Sequence, residues 1–156
     1  MEIEFKQLSE IDKPDIITLM NHPLVRRQMP LLKDHFDENA CDTFIASKMK
    51  LWNDHGYGPW AFVVNNEFAG WGGLQPEGGE ADLALVLHPD YWGIGKTLYQ
   101  KIIDRAFIEM GLDSVTVLFP PTRTRVSGLL RLGFKEDDDL YIGDQRFIRY
   151  RLRNPM

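Results

Sequence analysis

The spacing of apolar positions changes period several times along the chain, and each change predicts an element. Near the start, "IEFKQL" places Ile3, Phe5 and Leu8 in loose alternation and predicts a first strand. Ser9 opens "SEID", an N-cap with an acid three residues on, ahead of Ile16, Ile17, Leu19 and Met20. A short first helix is expected there. "NHPLVRRQMPLL" carries two prolines and reads as a loop with a turn of helix at most. "DENACDTFIASKMKLWNDHG" has a cap at Asp37, a stop at Gly56, and Ala40, Phe44, Ala46, Met49 and Leu51 along it, so it predicts an amphipathic second helix. Three short apolar runs follow: "WAFVV", "FAGWGGL" and "ADLALVL". The turn signals Asn65-Asn66 and "PEGGE" separate them, and His88-Pro89 ends the last, so they predict successive hairpin-linked strands. From Gly95 the period becomes helical, with Leu98, Ile102, Ile103, Ala106, Phe107 and Met110 on one face and Gly111 as the stop. "SVTVLF" predicts a strand, "RVSGLLRLG" a short helix, and "FKEDDDLYI" with "QRFIRYRL" a last hairpin turning at Gly143-Asp144.

The predicted order is β-α-α-β-β-β-α-β-α-β-β. A meander followed by a βαβ unit implies a mixed sheet of α+β class, in one domain spanning residues 1–156. Apolar residues at 44% and charged residues at 26% fit an ordinary globular protein. The net charge of -5 argues against a nucleic-acid partner, whose footprint is basic. The single cysteine, Cys41, allows no internal disulfide, which points to a cytoplasmic location. A nucleophilic Cys41 is one option, and a small buried hydrophobe is the commoner one. The opening "MEIEFKQLSEIDK" lacks the pattern of a signal peptide. No apolar run approaches the ~20 residues that span a membrane, so no membrane partner is expected.

The chemistry concentrates in "HPDYWGIGKTLYQ". Gly95-Lys96-Thr97 resembles the tail of a nucleoside-triphosphate loop, but Asp90 stands where that loop needs its first glycine. A dinucleotide fingerprint fails too, because Leu98 replaces its third glycine. Two readings remain from the residues alone. Gly93 and Gly95 let the backbone of residues 93 to 97 approach a pyrophosphate at a helix N-terminus, or they serve only the dihedrals of a strand-to-helix turn.

The wider pattern resembles the GNAT family of acetyl-CoA-dependent N-acyltransferases, and most closely its RimJ/RimL-like branch. The resemblance is strongest over "ADLALVLHPDYWGIGKTLYQKII", where Trp92, Gly93, Ile94, Gly95, Lys96 and Thr97 match the coenzyme A turn. "RVSGLLRLGF" and "NHPLVRRQMPLL" are weaker matches. The resemblance implies a central, mostly antiparallel twisted sheet splayed after the fourth strand, with about seven strands and four helices. It implies that the main chain of Leu85, Val86 and Leu87 pairs with the pantetheine arm and polarises the thioester, and that no metal is used. Departures exist. Thr97 replaces a small residue, Thr122 and Arg125 stand where Asn and Ser are common, and Leu129 occupies the place of a tyrosine acid.

Amine acetylation requires an acceptor for the amine proton, a donor for the carbonyl oxyanion, and alignment of the two substrates. Asp82 is the first candidate base, since an acid inside an apolar strand is costly unless it faces a cleft or partner. Glu80 beside the glycine turn and His88 at the strand end are the others. Lys96, Arg123 and Arg125 are candidates for coenzyme A phosphates. The expected function is acetyl transfer from acetyl-CoA to a primary amine, a protein N-terminus or a small molecule, in a ternary complex by a monomer or homodimer. The alternatives are a catalytically weak acyl-CoA-binding module and, on Gly-Lys-Thr alone, a nucleotide hydrolase.

Overall fold

Local signals set most element boundaries. Residues 1–29, 32, 34–123 and 126–155 are described here, in a computed structural model. The long helix begins where Asp37 accepts a hydrogen bond from the Ala40 N–H at 2.8 Å and ends at Gly56, which takes the left-handed φ of 75°. Between them runs Glu38–His55. The first helix starts later than expected. Ser9 lies inside a 3₁₀ turn, Leu8–Glu10, closed by Glu10 Oε2 accepting from the Gln7 N–H at 2.8 Å. The helix proper runs Lys13–Asn21 from Asp12, with Pro14 in its first turn, where a missing N–H costs nothing.

In chain order the strands are β1 (Ile3–Lys6), β2 (Pro59–Val64), β3 (Glu67–Glu77), β4 (Glu80–Leu87), β5 (Ser114–Phe119), β6 (Lys135–Ile142) and β7 (Gln145–Arg153). The α-helices are α1 (Lys13–Asn21), α2 (Pro23–Arg26), α3 (Glu38–His55), α4 (Gly95–Asp104) and α5 (Ser127–Arg131). The class and the seven strands agree with expectation. Among the described residues there are five α-helices against about four expected; the additional one, α2, is the turn of helix allowed for in the stretch read as loop. It forms because Pro23 fits a first helical position and His22 Nδ1 accepts from the Leu24 N–H at 3.2 Å. Among the described residues no helix is long and apolar enough to cross a membrane.

The chain forms two compact units, Met1–Gly73 with Leu85–Gly95, and Leu74–Ala84 with Lys96–Met156. The sheet order is β1-β2-β3-β4-β5-β7-β6, and β3 and β4 each contribute residues to both units. In the first unit β1, β2 and β3 pair antiparallel. Its core joins Leu8, Ile16, Leu19, Met20, Val25, Phe36, Cys41, Ala61 and Trp71. Cys41 is fully buried in that core, as a small apolar filler is. In the second unit β4 pairs with β5 in parallel at Asp82↔Thr116, and β5 and β6 each pair antiparallel with β7. Leu98, Ile102 and Ala106 are fully buried on the inner face of the helical segment. Its last turn, Arg105–Glu109, is π-helical before Gly111 turns the chain with φ 65°. The final hairpin turns at Gly143-Asp144 as expected.

Candidate active site

The strand that carries the site, β4, divides its main-chain groups between two edges. The Val86 carbonyl points at Gly70, so closely that a Cβ there would lie 2.2 Å from it. The His88 N–H donates to the Ala69 carbonyl at 2.9 Å. Residues 86 and 88 therefore face β3, and Leu85 and Leu87 present their N–H and C=O on the other edge. Of the three residues expected to pair with a pantetheine arm, Val86 is thus turned to β3. The Leu87 carbonyl is also occupied, since the Trp92 indole Nε1–H donates to it at 2.9 Å. Leu85 N–H and C=O and the Leu87 N–H make up the remaining set.

After β4 the chain makes a 3₁₀ turn, Pro89–Ile94, that leads into α4. His88 caps it: its Nδ1 accepts from the Asp90 N–H at 3.1 Å, and its ring packs edge-on against His22 at 5.1 Å. His88 also borders a cleft of about 390 Å³ shared with Asp15, Thr18 and Glu67. With Nδ1 engaged, only Nε2 of His88 is left for proton transfer.

Gly93 and Gly95 are absent from the positive-φ glycines, and Gly95 sits at φ -54°, ψ -44°, ordinary right-handed helix. Any residue adopts that conformation. A Cβ added at either position would meet nothing within 4 Å. The dihedral explanation for these glycines therefore fails, and so does internal crowding. What remains is room for something outside the chain to approach the backbone, which is what a pyrophosphate requires. One expected donor is already used, since the Gly95 N–H bonds to the Trp92 carbonyl. Trp92 is 43% exposed, and Lys96 and Thr97 lie exposed in the first turn of α4. Arg125 falls outside the described residues. Arg123 stacks over the Phe119 ring at 3.9 Å.

The two candidate carboxylates on β4 have opposite environments. Glu80 is gripped by Arg151 through two bonds, 2.8 and 3.1 Å, which hold its carboxyl below the usual range. A carboxylate so stabilised is a weak base. Asp82 is only 5% exposed. Burial pushes its pKa up to about 7; the hydrogen bond from Thr116 opposes this, Glu77 adds to it, and the nearby Arg149 charge offsets part of it. Thr116 Oγ1 donates to Asp82 Oδ1 at 2.9 Å, and Oδ2 has no hydrogen bond among the described residues. A carboxyl group with that affinity and one free oxygen suits proton exchange near neutral pH.

Sequence reasoning missed Thr116, Tyr99 and Arg149. Thr116 is fully buried, and its signal was a polar residue flanked by valines in "SVTVLF". Tyr99, in α4, has its phenol pushed up to about 12 by burial, against the pull of Arg123 and with a small addition from Asp82. It stays protonated at neutral pH. Arg149 is one of four arginines on β7, and nothing in the sequence singles it out. Leu129, at the place of the family's tyrosine, is buried and apolar. Among the described residues no group of His, Cys, Asp and Glu is arranged to hold a metal.

Comparison with known proteins places this geometry. Residues 2–135 match the acetyltransferase (GNAT) domain family, so the chain belongs to the GNAT acetyltransferases. No curated protein matches the chain significantly. Among solved structures it is similar in fold to a GNAT-family acetyltransferase from Bacillus anthracis, with TM-score 0.78 and 15% identity, covering 100% of this chain and 97% of the other. It is also similar to the Vibrio cholerae spermidine N-acetyltransferase in complex with CoA and spermine, with TM-score 0.75 and 16% identity over 97% and 95% of the chains. A third is the Campylobacter jejuni N-acetyltransferase in complex with acetyl coenzyme A, with TM-score 0.69 and 16% identity over 97% and 99%.

Proposed function

We propose that this protein transfers the acetyl group of acetyl-CoA directly to a primary amine, with Asp82 as general base. The observation that carries the reading is the state of Asp82. It is a buried carboxyl titrating at about 7, held through one oxygen by Thr116, three residues before Leu85 on the same strand. A lysine-like amine has a pKa of about 10.4 and must lose a proton before it attacks. Asp82 Oδ2 takes that proton. The amine nitrogen bonds to the acetyl carbonyl carbon, whose oxygen is stabilised by a β4 main-chain N–H. The carbon–sulfur bond then breaks, the sulfur leaves with the electron pair and takes a proton from water, and the amide nitrogen sheds its remaining extra proton to water.

The turn from Trp92 to Thr97 is the proposed seat of the coenzyme A pyrophosphate, supported by the open space above Gly93 and Gly95. Within the family the Trp92-Gly93 opening supports a place near the RimJ/RimL-like branch. Residues 1–156 are read as one acyltransferase domain working in the cytoplasm. The test is thiol release from acetyl-CoA across a panel of amines. Turnover that drops sharply in Asp82→Asn is expected. Turnover that is unchanged in that variant overturns the assignment of Asp82.

Leu129 favours a second reading, an acyl-CoA-binding module without transfer, because it removes a proton donor from that place. Calorimetry separates the two: tight acetyl-CoA binding without turnover of any amine supports the module.

A further inference from the structure

Two arginines stand two residues apart on β7, and they differ in their partners: every guanidinium nitrogen of Arg151 donates to a neighbour, while two of Arg149 do not. Arg151 Nε donates to Asp137 Oδ2 at 2.7 Å. Its Nη1 donates to Glu80 Oε2 at 2.8 Å and Ser114 Oγ at 2.9 Å, and its Nη2 to Glu80 Oε1 at 3.1 Å. Arg149 Nε and Nη2 are buried, and neither has a hydrogen-bond partner among the described residues. These two nitrogens form one edge of the guanidinium, the fork that matches both oxygens of a carboxylate. Leaving such a charged pair of donors buried and unpaired is costly, and it calls for a partner outside the chain.

No nearby acid closes the fork. Asp82, Glu80 and Asp137 all feel the Arg149 charge. Each is bonded elsewhere: Glu80 and Asp137 to Arg151, and Asp82 to Thr116. What covers the fork is the turn between β3 and β4. A Cβ on Gly78 would lie 2.7 Å from Arg149 Nη2. Gly78 and Gly79 both take positive φ, 59° and 80°, so this tip is built from the residue type with the widest backbone freedom. It makes no hydrogen bond to the fork, so displacing it breaks none there.

Resting on the reading of the chain as an amine acetyltransferase with Asp82 as base, we propose that the Arg149 fork binds a carboxylate of the acceptor. The preferred acceptor is then a small primary amine that also carries a carboxylate. Its anion occupies Nε and Nη2 of Arg149 while its amine gives a proton to Asp82. Arg151 is poorly suited to this purpose because its Nε, Nη1 and Nη2 each already donate to Asp137, Glu80 or Ser114. The exchange Arg149→Lys keeps the charge and removes the fork.

The experiment measures acetyl transfer from acetyl-CoA to glycine, β-alanine, 4-aminobutanoate and larger α-amino acids, each beside its own amide. The amide keeps the amine and removes the anion. At least one acid is expected to exceed its amide in kcat/KM by about tenfold or more, because a site built for a polar group discriminates against its absence. Arg149→Met should collapse that ratio toward one, and Arg149→Lys should restore only part of it. Equal values for every acid and amide overturn the proposal, as does a ratio that survives Arg149→Met. Where Arg149→Met does not fold, Arg149→Lys carries the comparison.

If acetyl-CoA binds but no amine of either kind is acetylated, the transfer reading fails, and the fork is judged by binding. Acetate and N-acetylglycine should then raise the Tm of the unaltered protein but not of Arg149→Lys to the same degree. No rise in the unaltered protein overturns the anion site.

Discussion

The segment Leu85–Thr97 and the polar strand face of Glu80, Asp82, Thr116, Arg149 and Arg151 work by different means. The first offers main chain. Its side chains matter mostly by being small, as at Gly93 and Gly95, or by locking a carbonyl, as Trp92 does for Leu87. The second offers side chains whose meaning depends on partners. Glu80 and Asp82 are the same chemical group two residues apart, yet one is held below its ordinary range by Arg151 and the other is raised to about 7 by burial. A main-chain site is robust to side-chain changes that leave room. A side-chain site is remade by any single exchange.

The largest expected effect comes from Asp82. Asp82→Asn should lower kcat/KM by about 100-fold or more, the usual size for a general base, with acetyl-CoA affinity by calorimetry nearly unchanged. The same substitution should alter the pH dependence of stability. A carboxyl whose folded pKa lies above its unfolded value makes the folded state bind more protons, so stability falls as pH rises from about 4 through 7. In chemical denaturation across that range, the unaltered protein should lose on the order of 3 kcal/mol more than Asp82→Asn. A rate that rises with pH and levels off above about 7 is the kinetic counterpart.

Next is the main-chain region. Gly95→Ala should leave folding intact or slightly improved, by about 0.5 kcal/mol, since the backbone there is helical and a Cβ meets nothing. It should nonetheless weaken coenzyme A binding, by about tenfold if the pyrophosphate needs that space. Loss of stability together with loss of affinity would break the contrast between the two regions, because the glycine would then serve the fold.

Smaller again is Thr116→Val, which keeps shape and removes the donor to Asp82 Oδ1. The cost should be about 1 kcal/mol in stability. Without that donor the carboxylate form is less favoured, so the rise of kcat/KM with pH should move to higher pH. Thr116→Ser should restore the profile. The smallest effect is predicted for Glu80→Gln, within about threefold in kcat/KM, with about 1 kcal/mol lost from its charged hydrogen bonds to Arg151. A hundredfold loss there would transfer the base role to Glu80.

Element order, the caps at Asp37 and Gly56, the hairpin at Gly143-Asp144 and the glycine turn were legible in the chain because each rests on contacts within a few residues. Asp82 was legible as an acid in an apolar run. Its proton affinity was not, because that depends on Thr116, thirty-four residues away. The first helix start was misplaced for a local reason: Ser9 and Asp12 both look like caps, and the 3₁₀ turn closed by Glu10 took the first position. The role of the glycines was open in sequence, since a strand-to-helix turn and a ligand approach ask for the same residue. The backbone angles remove the dihedral need, and the open space supports the ligand approach proposed above.

The sequence by itself determined the α+β order and the place of the glycine-containing strand-to-helix turn, because periodicity, capping and glycine spacing are short-range physics, and its motifs carried the resemblance to the family to which the chain belongs. Tertiary structure alone decided which acid is poised near neutral pH, which β4 main-chain groups face away from β3, and which arginine was left with an empty fork. Those properties come from burial and from partners distant in the chain, and a linear pattern carries no record of either.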